Sequence, residues 1–243
     1  LFGRARWGAV SAGMLAAMLL TLSAPASAQG IATTRHNLGS AGTDNRSSDT
    51  AEICVFCHTP HGGATAAEVP LWNKRLATAG PAGGGSYTTY DSLQLPSLDG
   101  TVAPVGSISM ACLSCHDGTV AIDSYGGGAG TAGVMTGPNA VGAATQGSLA
   151  NDHPIGFTYN TTLATADGAL YDPATRTVTV GAGGTRSQTG TVAALMLFNG
   201  RMECASCHDV HNTFAAANGT GVGSPLVRVS KAGSTICLTC HNK

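Results

Sequence analysis

The chain has 243 residues, of which 43% are apolar and 10% are charged, with 34 glycines, eight cysteines and eight histidines. Because the charged fraction is far below the usual quarter while the apolar fraction is ordinary, the sequence is not that of a charge-rich disordered chain. Aromatic residues make up only 5% of the chain. So few large side chains and so many glycines favour packing around a bound group rather than around an ordinary core.

Residues 1–28 have the pattern of a secretory signal peptide. Arg4 and Arg6 precede an apolar run over residues 9–22, and Ala26-Ser27-Ala28 supplies the small residues of a cleavage site. The run is short for a membrane span, and no later segment has eighteen consecutive apolar residues. We therefore predict an exported protein without a membrane span, extracellular or on the cell surface, with the periplasm as the alternative. Residues 29–243 form its single domain.

The predicted exported part, residues 29–243, contains ten Lys and Arg against 13 Asp and Glu, a formal net charge of −3. A chain without a basic stripe cannot neutralise many phosphates, so we do not expect nucleic-acid binding. Sparse charge on a background of Gly, Ala, Ser and Thr is typical of a surface that meets other copies of the same chain.

All eight cysteines lie in four copies of the pattern C-x-x-C-H, at residues 54–58, 112–116, 204–208 and 237–241, called motifs 1 to 4 below. This is the attachment pattern of c-type haem: two thiols bond to the two vinyl groups of one porphyrin, and the next residue gives the iron its proximal imidazole. A short helical turn would place all three groups on one side of the macrocycle. The pattern predicts four covalently bound haem c groups, attached through Cys54, Cys57, Cys112, Cys115, Cys204, Cys207, Cys237 and Cys240 and ligated by His58, His116, His208 and His241.

Two other interpretations of the cysteines are a disulfide scaffold and zinc sites. A disulfide framework does not need a histidine, and a zinc site usually takes its ligands from two separated knuckles of variable composition. Neither interpretation explains why a histidine follows the second cysteine in every copy.

Four histidines remain after the proximal ligands are assigned: His36, His61, His153 and His211. Four irons need four sixth ligands, so the count balances if every haem has two histidine ligands. Methionine is the main competitor for the sixth position. Met110 and Met202 lie two residues before a motif cysteine and are predicted to be packing residues, whereas Met135 and Met196 remain alternatives.

Two of the spare histidines follow a proximal histidine after three positions, His61 after His58 and His211 after His208. On a helical turn this spacing puts both imidazoles on the same face, so they cannot ligate opposite sides of one iron. We therefore expect each pair to connect two neighbouring haems.

The domain leaves about 54 residues for each haem, too few to enclose each porphyrin separately. We expect the haem stack to form the core and the haems to contact one another. The longest insert lies between motifs 2 and 3, where residues 176–180 are predicted to form a strand of a hairpin. Some haem propionates should pair with basic residues, and Arg201, Lys74 and Arg75 are the candidates.

Several segments around the motifs resemble the OmcE-type tetrahaem c-type cytochromes, whose subunits polymerise into extracellular filaments called nanowires. They are residues 53–61, Pro70-Leu71-Trp72-Asn73, residues 110–120, residues 152–157 and Arg35-His36-Asn37-Leu38, in the same order from about residue 33 to the C-terminus.

The resemblance implies a mostly irregular chain with short helices and a minor β-hairpin, wrapped around four stacked bis-histidine haems. It also implies extracellular electron transfer within a helical filament of identical subunits, with redox proteins or extracellular acceptors as further partners. In such filaments a histidine of one subunit ligates a haem of its neighbour; His36 is our candidate, with ligation inside its own chain as the alternative.

Two other functions stay open. A discrete periplasmic shuttle would need the same four haems. A multihaem reductase would need an open coordination position, which the balanced histidine count disfavours, so we expect an electron-transfer protein rather than an enzyme.

Overall fold

The computed structural model describes residues 29–42, 47, 49–66, 69–74, 87–90, 99–101, 103–141, 148–184, 186–216 and 225–242. The predicted signal peptide, residues 1–28, lies outside them, as does Arg75. All eight cysteines and all eight histidines lie within the described residues.

The described chain is mostly irregular and contains short helices. The α-helices are α1 (Gln29–Ala32), α2 (Ser107–His116), α3 (Thr161–Asp167), α4 (Val192–Leu195) and α5 (Cys204–Cys207), and 3-10 turns occur at Cys54–Phe56, Gly137–Asn139, Ala232–Ser234 and Cys237–Thr239. Helix α3 has a clear start and stop. The Asn160 side chain accepts a hydrogen bond from the Leu163 N–H (2.9 Å), and Gly168 ends the helix at φ 69°, in the left-handed region.

Three two-stranded sheets are present among the described residues. Strand β1 (Ala64–Ala66) pairs antiparallel with β2 (Val69–Trp72), and β3 (Thr88–Thr89) pairs parallel with β4 (Ser148–Leu149). Strand β5 (Thr177–Val180) pairs antiparallel with β6 (Gln188–Thr191), so the strand predicted at residues 176–180 lies in a hairpin.

The largest group of buried side chains lies in the long insert between motifs 2 and 3. It joins residues of β5, α3 and α4 to motif 4, where Cys240 is buried in the same group. Hydrogen bonds strengthen this contact: the Tyr171 N–H donates to the Cys240 carbonyl (2.8 Å), and the Asn242 N–H donates to the Ala169 carbonyl (3.0 Å). The insert is therefore a side-chain core of its own, which the glycine-rich composition did not predict.

Smaller buried groups surround the other motifs. Phe56 of motif 1 is completely buried beside Leu38, Ile122 and Met135, and Leu113 of motif 2 packs with Tyr87, Met110 and Leu149. Within the described residues, no helix combines the length and the apolar character needed to cross a bilayer.

Candidate haem centres

Each C-x-x-C-H motif forms the short helical turn that the spacing predicts. Motifs 1 and 4 are 3-10 turns, motif 2 is the last turn of α2, and motif 3 is α5. In three of them the histidine N–H donates to the carbonyl of the first cysteine: His58 to Cys54 (2.8 Å), His208 to Cys204 (3.1 Å) and His241 to Cys237 (2.9 Å). No disulfide joins any of the eight cysteines, all of which are described.

The backbone at His58 and His208 differs from the helical turn that was predicted to continue to His61 and His211. His208 has extended backbone angles (φ −107°, ψ 140°), and both His58 and His208 form isolated antiparallel bridges instead of continuing a helix. The three-residue spacing to His61 and His211 therefore does not place two imidazoles on one helical face. Neither helical turn continues past its histidine, because the histidine backbone forms a bridge with another segment: His58 pairs with Trp72, and His208 pairs with Val227.

Three pairs of imidazoles, called the facing pairs below, have nearly equal centroid separations and interplanar angles from 16° to 74°. The ring centroids are 6.0 Å apart for His36 and His116, 6.2 Å for His58 and His211, and 6.4 Å for His153 and His241. A typical metal–imidazole bond of about 2.0–2.1 Å would separate the centroids of two rings on opposite sides of one ion by about 6.3 Å. The three observed gaps match that value. Each pair joins one proximal histidine to one spare histidine.

Backbone carbonyls orient three of these rings, and also the ring of His208, through the nitrogen Nδ1. The acceptors are the carbonyls of Pro70 for His58 (2.9 Å), Asn139 for His116 (2.7 Å), Pro154 for His153 (2.9 Å) and Pro225 for His208 (2.6 Å). A carbonyl only accepts, so Nδ1 carries the proton and Nε2 keeps its lone pair. This is the arrangement in which a metal-ligating histidine is held by the groups behind it.

His36 is held beside motif 2 of its own chain. Burial lowers the pKa of its imidazole to about 4, with a smaller contribution from His116, so the ring is neutral near pH 7. The segment before it packs on the residues after motif 3, because a Cβ on Gly30 would lie 2.6 Å from the His211 carbonyl oxygen. This placement favours the intrachain alternative for His36 over ligation in a neighbouring subunit.

The four methionines of the exported part are all buried side chains. Met110 lies in the group around Leu113 and Met202 in the insert core, as predicted for packing residues. Met135 packs with Phe56, and Met196 packs in the insert core. The structure thus brings histidines, rather than either of the alternative methionines, to the positions opposite His58, His116 and His241.

Motifs 1 and 3 belong to an internal repeat that sequence inspection missed. Repeat A comprises residues 53–73 and repeat B residues 203–228; each ends in Pro-Leu-x followed by Asn73 or Arg228. Both leucines adopt left-handed backbone angles, φ 55° at Leu71 and φ 53° at Leu226. The sequence feature that indicates the repeat is Pro-Leu recurring after C-x-x-C-H-x-x-H. It is easily missed because the first cysteine and the proline are 16 residues apart in one repeat and 21 in the other.

The two repeats use the same hydrogen bonds. The proline carbonyl accepts from the histidine Nδ1 in both repeats, and the leucine carbonyl accepts from the N–H of Thr59 (2.9 Å) in A and of Asp209 (2.8 Å) in B. The last residue, Asn73 or Arg228, donates its N–H to the second cysteine's carbonyl (2.9 and 2.8 Å). Its side chain then donates to the carbonyl of the residue after the first cysteine.

Motifs 2 and 3 are joined by a buried carboxylate. Glu203, 3% exposed, accepts hydrogen bonds from the Gly106 N–H (3.2 Å) at the start of α2 and from the Ser109 hydroxyl, and it pairs with Arg201 (3.5 Å). Ser109 also accepts from the Cys204 N–H (3.0 Å). The contact brings the thiols of Cys112 and Cys204 within hydrogen-bonding distance.

Two of the three basic residues proposed as propionate partners, Arg201 and Lys74, have protein partners, and Arg75 lies outside the described residues. Besides Glu203, the Arg201 guanidinium donates to the carbonyls of Pro104 and Gly156. The Lys74 ammonium donates to the carbonyls of Ala121 (3.3 Å), Ile122 (2.6 Å) and Ser124 (3.0 Å). Sequence position alone cannot distinguish a solvent-facing cation from one enclosed by backbone carbonyls.

Three of the motif thiols are weaker acids than a free cysteine. Burial raises the pKa of Cys57 to about 12 and the pKa values of Cys207 and Cys240 to about 11. Within the described residues, no group of three or more His, Cys, Asp and Glu side chains has the arrangement of a metal site.

Comparison of the sequence with protein-family profiles gives no match, and comparison with curated proteins gives no similar sequence.

Proposed function

We propose that this chain is an electron-transfer protein that binds four haem c groups, each ligated by two histidines. The observation that carries the proposal is the set of three facing imidazole pairs, each joining a motif histidine to a histidine outside the motifs. Bound haem supplies a one-electron couple at each iron. The donor set fits this group, because each motif adds two thiols beside the imidazole.

The facing pairs support the ligand assignment of three centres, and the repeat supports that of the fourth. Repeats A and B hold their motif histidines alike, and His58 of A faces His211 of B, so we infer His61 as the equivalent partner of His208. No ring contact joins His61 and His208, both of which are described. The assigned pairs are His58 with His211, His116 with His36, His208 with His61 and His241 with His153.

The reciprocal exchange of histidines puts the centres of motifs 1 and 3 next to each other. Each repeat supplies the proximal ligand of one centre and the distal ligand of the other, so neither centre forms without both repeats. This retains the predicted connection between two haems, although an extended chain rather than a helical turn provides it.

The chain's own residues prepare the rings to bind. The proline and asparagine carbonyls keep Nδ1 protonated and leave Nε2 free, and burial keeps His36 neutral. Each haem would be held by two imidazoles, which suits electron transfer and would leave no open coordination position for the reductase alternative.

We further propose, from the resemblance to OmcE-type cytochromes, that exported copies assemble into an extracellular filament and pass electrons to redox proteins or extracellular acceptors. The discrete periplasmic shuttle is the second candidate. One observation favours it: all three facing pairs, including His36 with His116, lie within a single chain, so these ligand sets close without a second copy.

Two measurements test the proposal. The mass of the denatured exported protein should exceed that of the polypeptide by four haems, and the spectrum should show only low-spin, six-coordinate iron. Fewer haems, or one equivalent of high-spin iron, would contradict the ligand assignment. Electron microscopy of the exported fraction then separates the two candidates, because the filament requires polymers whereas the shuttle gives dispersed particles.

A further inference from the structure

Lys74 is a buried cation for which the ligand sets have no use. Its side chain is 4% exposed, and three backbone carbonyls, those of Ala121, Ile122 and Ser124, surround its ammonium group at 2.6–3.3 Å. Among the described residues it forms no ion pair with a carboxylate. Carbonyls solvate an ammonium group but do not neutralise its charge.

The charge lies between motifs 1 and 2. Lys74 follows Asn73, whose N–H is bonded to the Cys57 carbonyl (2.9 Å), and its ammonium group also contacts the Cys115 thiol. These two cysteines immediately precede His58 and His116.

Motif 3 has a cation in a different setting. Arg228 reaches the carbonyl of Ala205 within the motif (2.7 Å), but the nearby buried Asp209 offers a countercharge. Lys74 is thus the buried cation that lies beside two motifs without an ion-pair partner among the described residues.

We propose that Lys74 sets the reduction potentials of two centres, those of motifs 1 and 2, by holding both at higher values than they would have without its charge. The inference rests on the proposed function. Each centre takes up one electron on reduction, and its net charge falls by one. A nearby fixed positive charge therefore stabilises the reduced form, and burial protects this interaction from screening by salt.

The test is a spectroelectrochemical titration of the exported holoprotein, fitted as four one-electron steps. In Lys74→Gln, which keeps N–H donors for the carbonyls but removes the charge, two of the four midpoint potentials should move to lower values. Lys74→Met provides a second neutral side chain of similar length. Lys74→Arg should keep all four potentials near the wild-type values, and Lys231→Met should do the same, because Lys231 is exposed.

The outcomes separate this inference from the proposed function. If the wild-type protein lacks four low-spin haems, the proposed function fails. If Lys74→Gln or Lys74→Met retains four low-spin haems and all four potentials are unchanged, or if all four shift equally, Lys74 does not have this role. A shift of two potentials in the neutral variants that is absent in Lys74→Arg supports it.

Discussion

Repeats A and B place their histidines with the same backbone framework but different side chains. In both, a left-handed leucine follows a proline whose carbonyl binds the histidine ring, and the leucine carbonyl binds the next N–H. Around this framework repeat A is uncharged at three positions where repeat B is charged: Ile53, Thr59 and Asn73 correspond to Glu203, Asp209 and Arg228.

This difference separates the features that position the histidines from those that connect a repeat to the rest of the protein. The backbone hydrogen bonds are common to both repeats, so they are sufficient to orient a histidine. The charges of repeat B are buried or partly buried and need partners. Glu203 finds them in α2, whereas Asp209 accepts hydrogen bonds from the His211 and Phe214 N–H groups inside repeat B. Repeat B is therefore connected to α2 through a buried charge, for which repeat A has no counterpart at Ile53.

The largest expected effect comes from removing the exchanged histidines. His211→Ala should leave four haems attached, because attachment uses the cysteines, but should convert the motif 1 centre to five-coordinate or water-ligated, high-spin iron. His61→Ala should do the same to the motif 3 centre. Magnetic resonance and absorption spectra measure the high-spin fraction, which we expect to be one quarter of the iron in each variant.

The control is Val210→Ala, which changes an exposed side chain between two ligands and should keep all iron low-spin. Equal high-spin fractions in the two histidine variants support the exchange between the repeats. Fully low-spin iron in His61→Ala would show that His208 has another partner.

The second expected effect concerns the charged connection of repeat B. Glu203→Leu removes the acceptor of the Gly106 and Ser109 hydrogen bonds and leaves Arg201 without its carboxylate, so we expect a loss of about 3 kcal/mol in the free energy of unfolding. The equivalent change in repeat A, Ile53→Leu, conserves volume and should cost less than about 1.5 kcal/mol. Urea denaturation measures both, and equal losses would contradict the asymmetry.

Features that depend on residue type at short spacing were predictable from the sequence. The four C-x-x-C-H patterns predicted helical turns, and turns are present in all four motifs. The alternation of Thr and Val at residues 177–180, bounded by Pro173 and Gly181, predicted a strand, and β5 pairs in a hairpin. These elements depend on local backbone preferences and on contacts between nearby residues.

Features that depend on contacts between distant segments were not predictable. His58 appears in a helical spacing with His61, but its backbone bridges to Trp72. Lys74 looks like a surface cation, yet it is enclosed by carbonyls about 50 residues further along the chain. His36 lies far in sequence from every motif, so nothing in its surroundings indicated His116 as its neighbour.

A third effect distinguishes the two side chains that cap the motif turns. Asn73→Ala removes a neutral hydrogen bond to the Val55 carbonyl and the acceptor of the Gly126 N–H, which is exposed and can bond to water instead. It should cost about 1 kcal/mol. Arg228→Ala removes a charged donor to the Ala205 carbonyl and a countercharge near Asp209, so it should cost about 2 kcal/mol. Denaturation at low and high salt checks the order; a larger loss for Asn73→Ala would contradict it.

The smallest expected effect comes from replacing the left-handed leucines with glycine. The change in the free energy of unfolding should have opposite signs in the two repeats. A left-handed conformation costs an L-residue about 1–2 kcal/mol, whereas glycine adopts it freely and loses about 0.5–1 kcal/mol through its larger entropy in the unfolded chain. Leu71 is 48% exposed and so loses little burial on substitution. Leu71→Gly should therefore stabilise the protein by about 0.5 kcal/mol.

Leu226 has the same backbone angle but is 4% exposed. Replacing it with glycine removes about 2–3 kcal/mol of side-chain burial, which exceeds the relief of backbone strain. Leu226→Gly should therefore destabilise the protein by about 1–2 kcal/mol. Urea midpoints at unchanged denaturant slope measure both variants. An equal loss in the free energy of unfolding for both variants would contradict this difference between the two repeats.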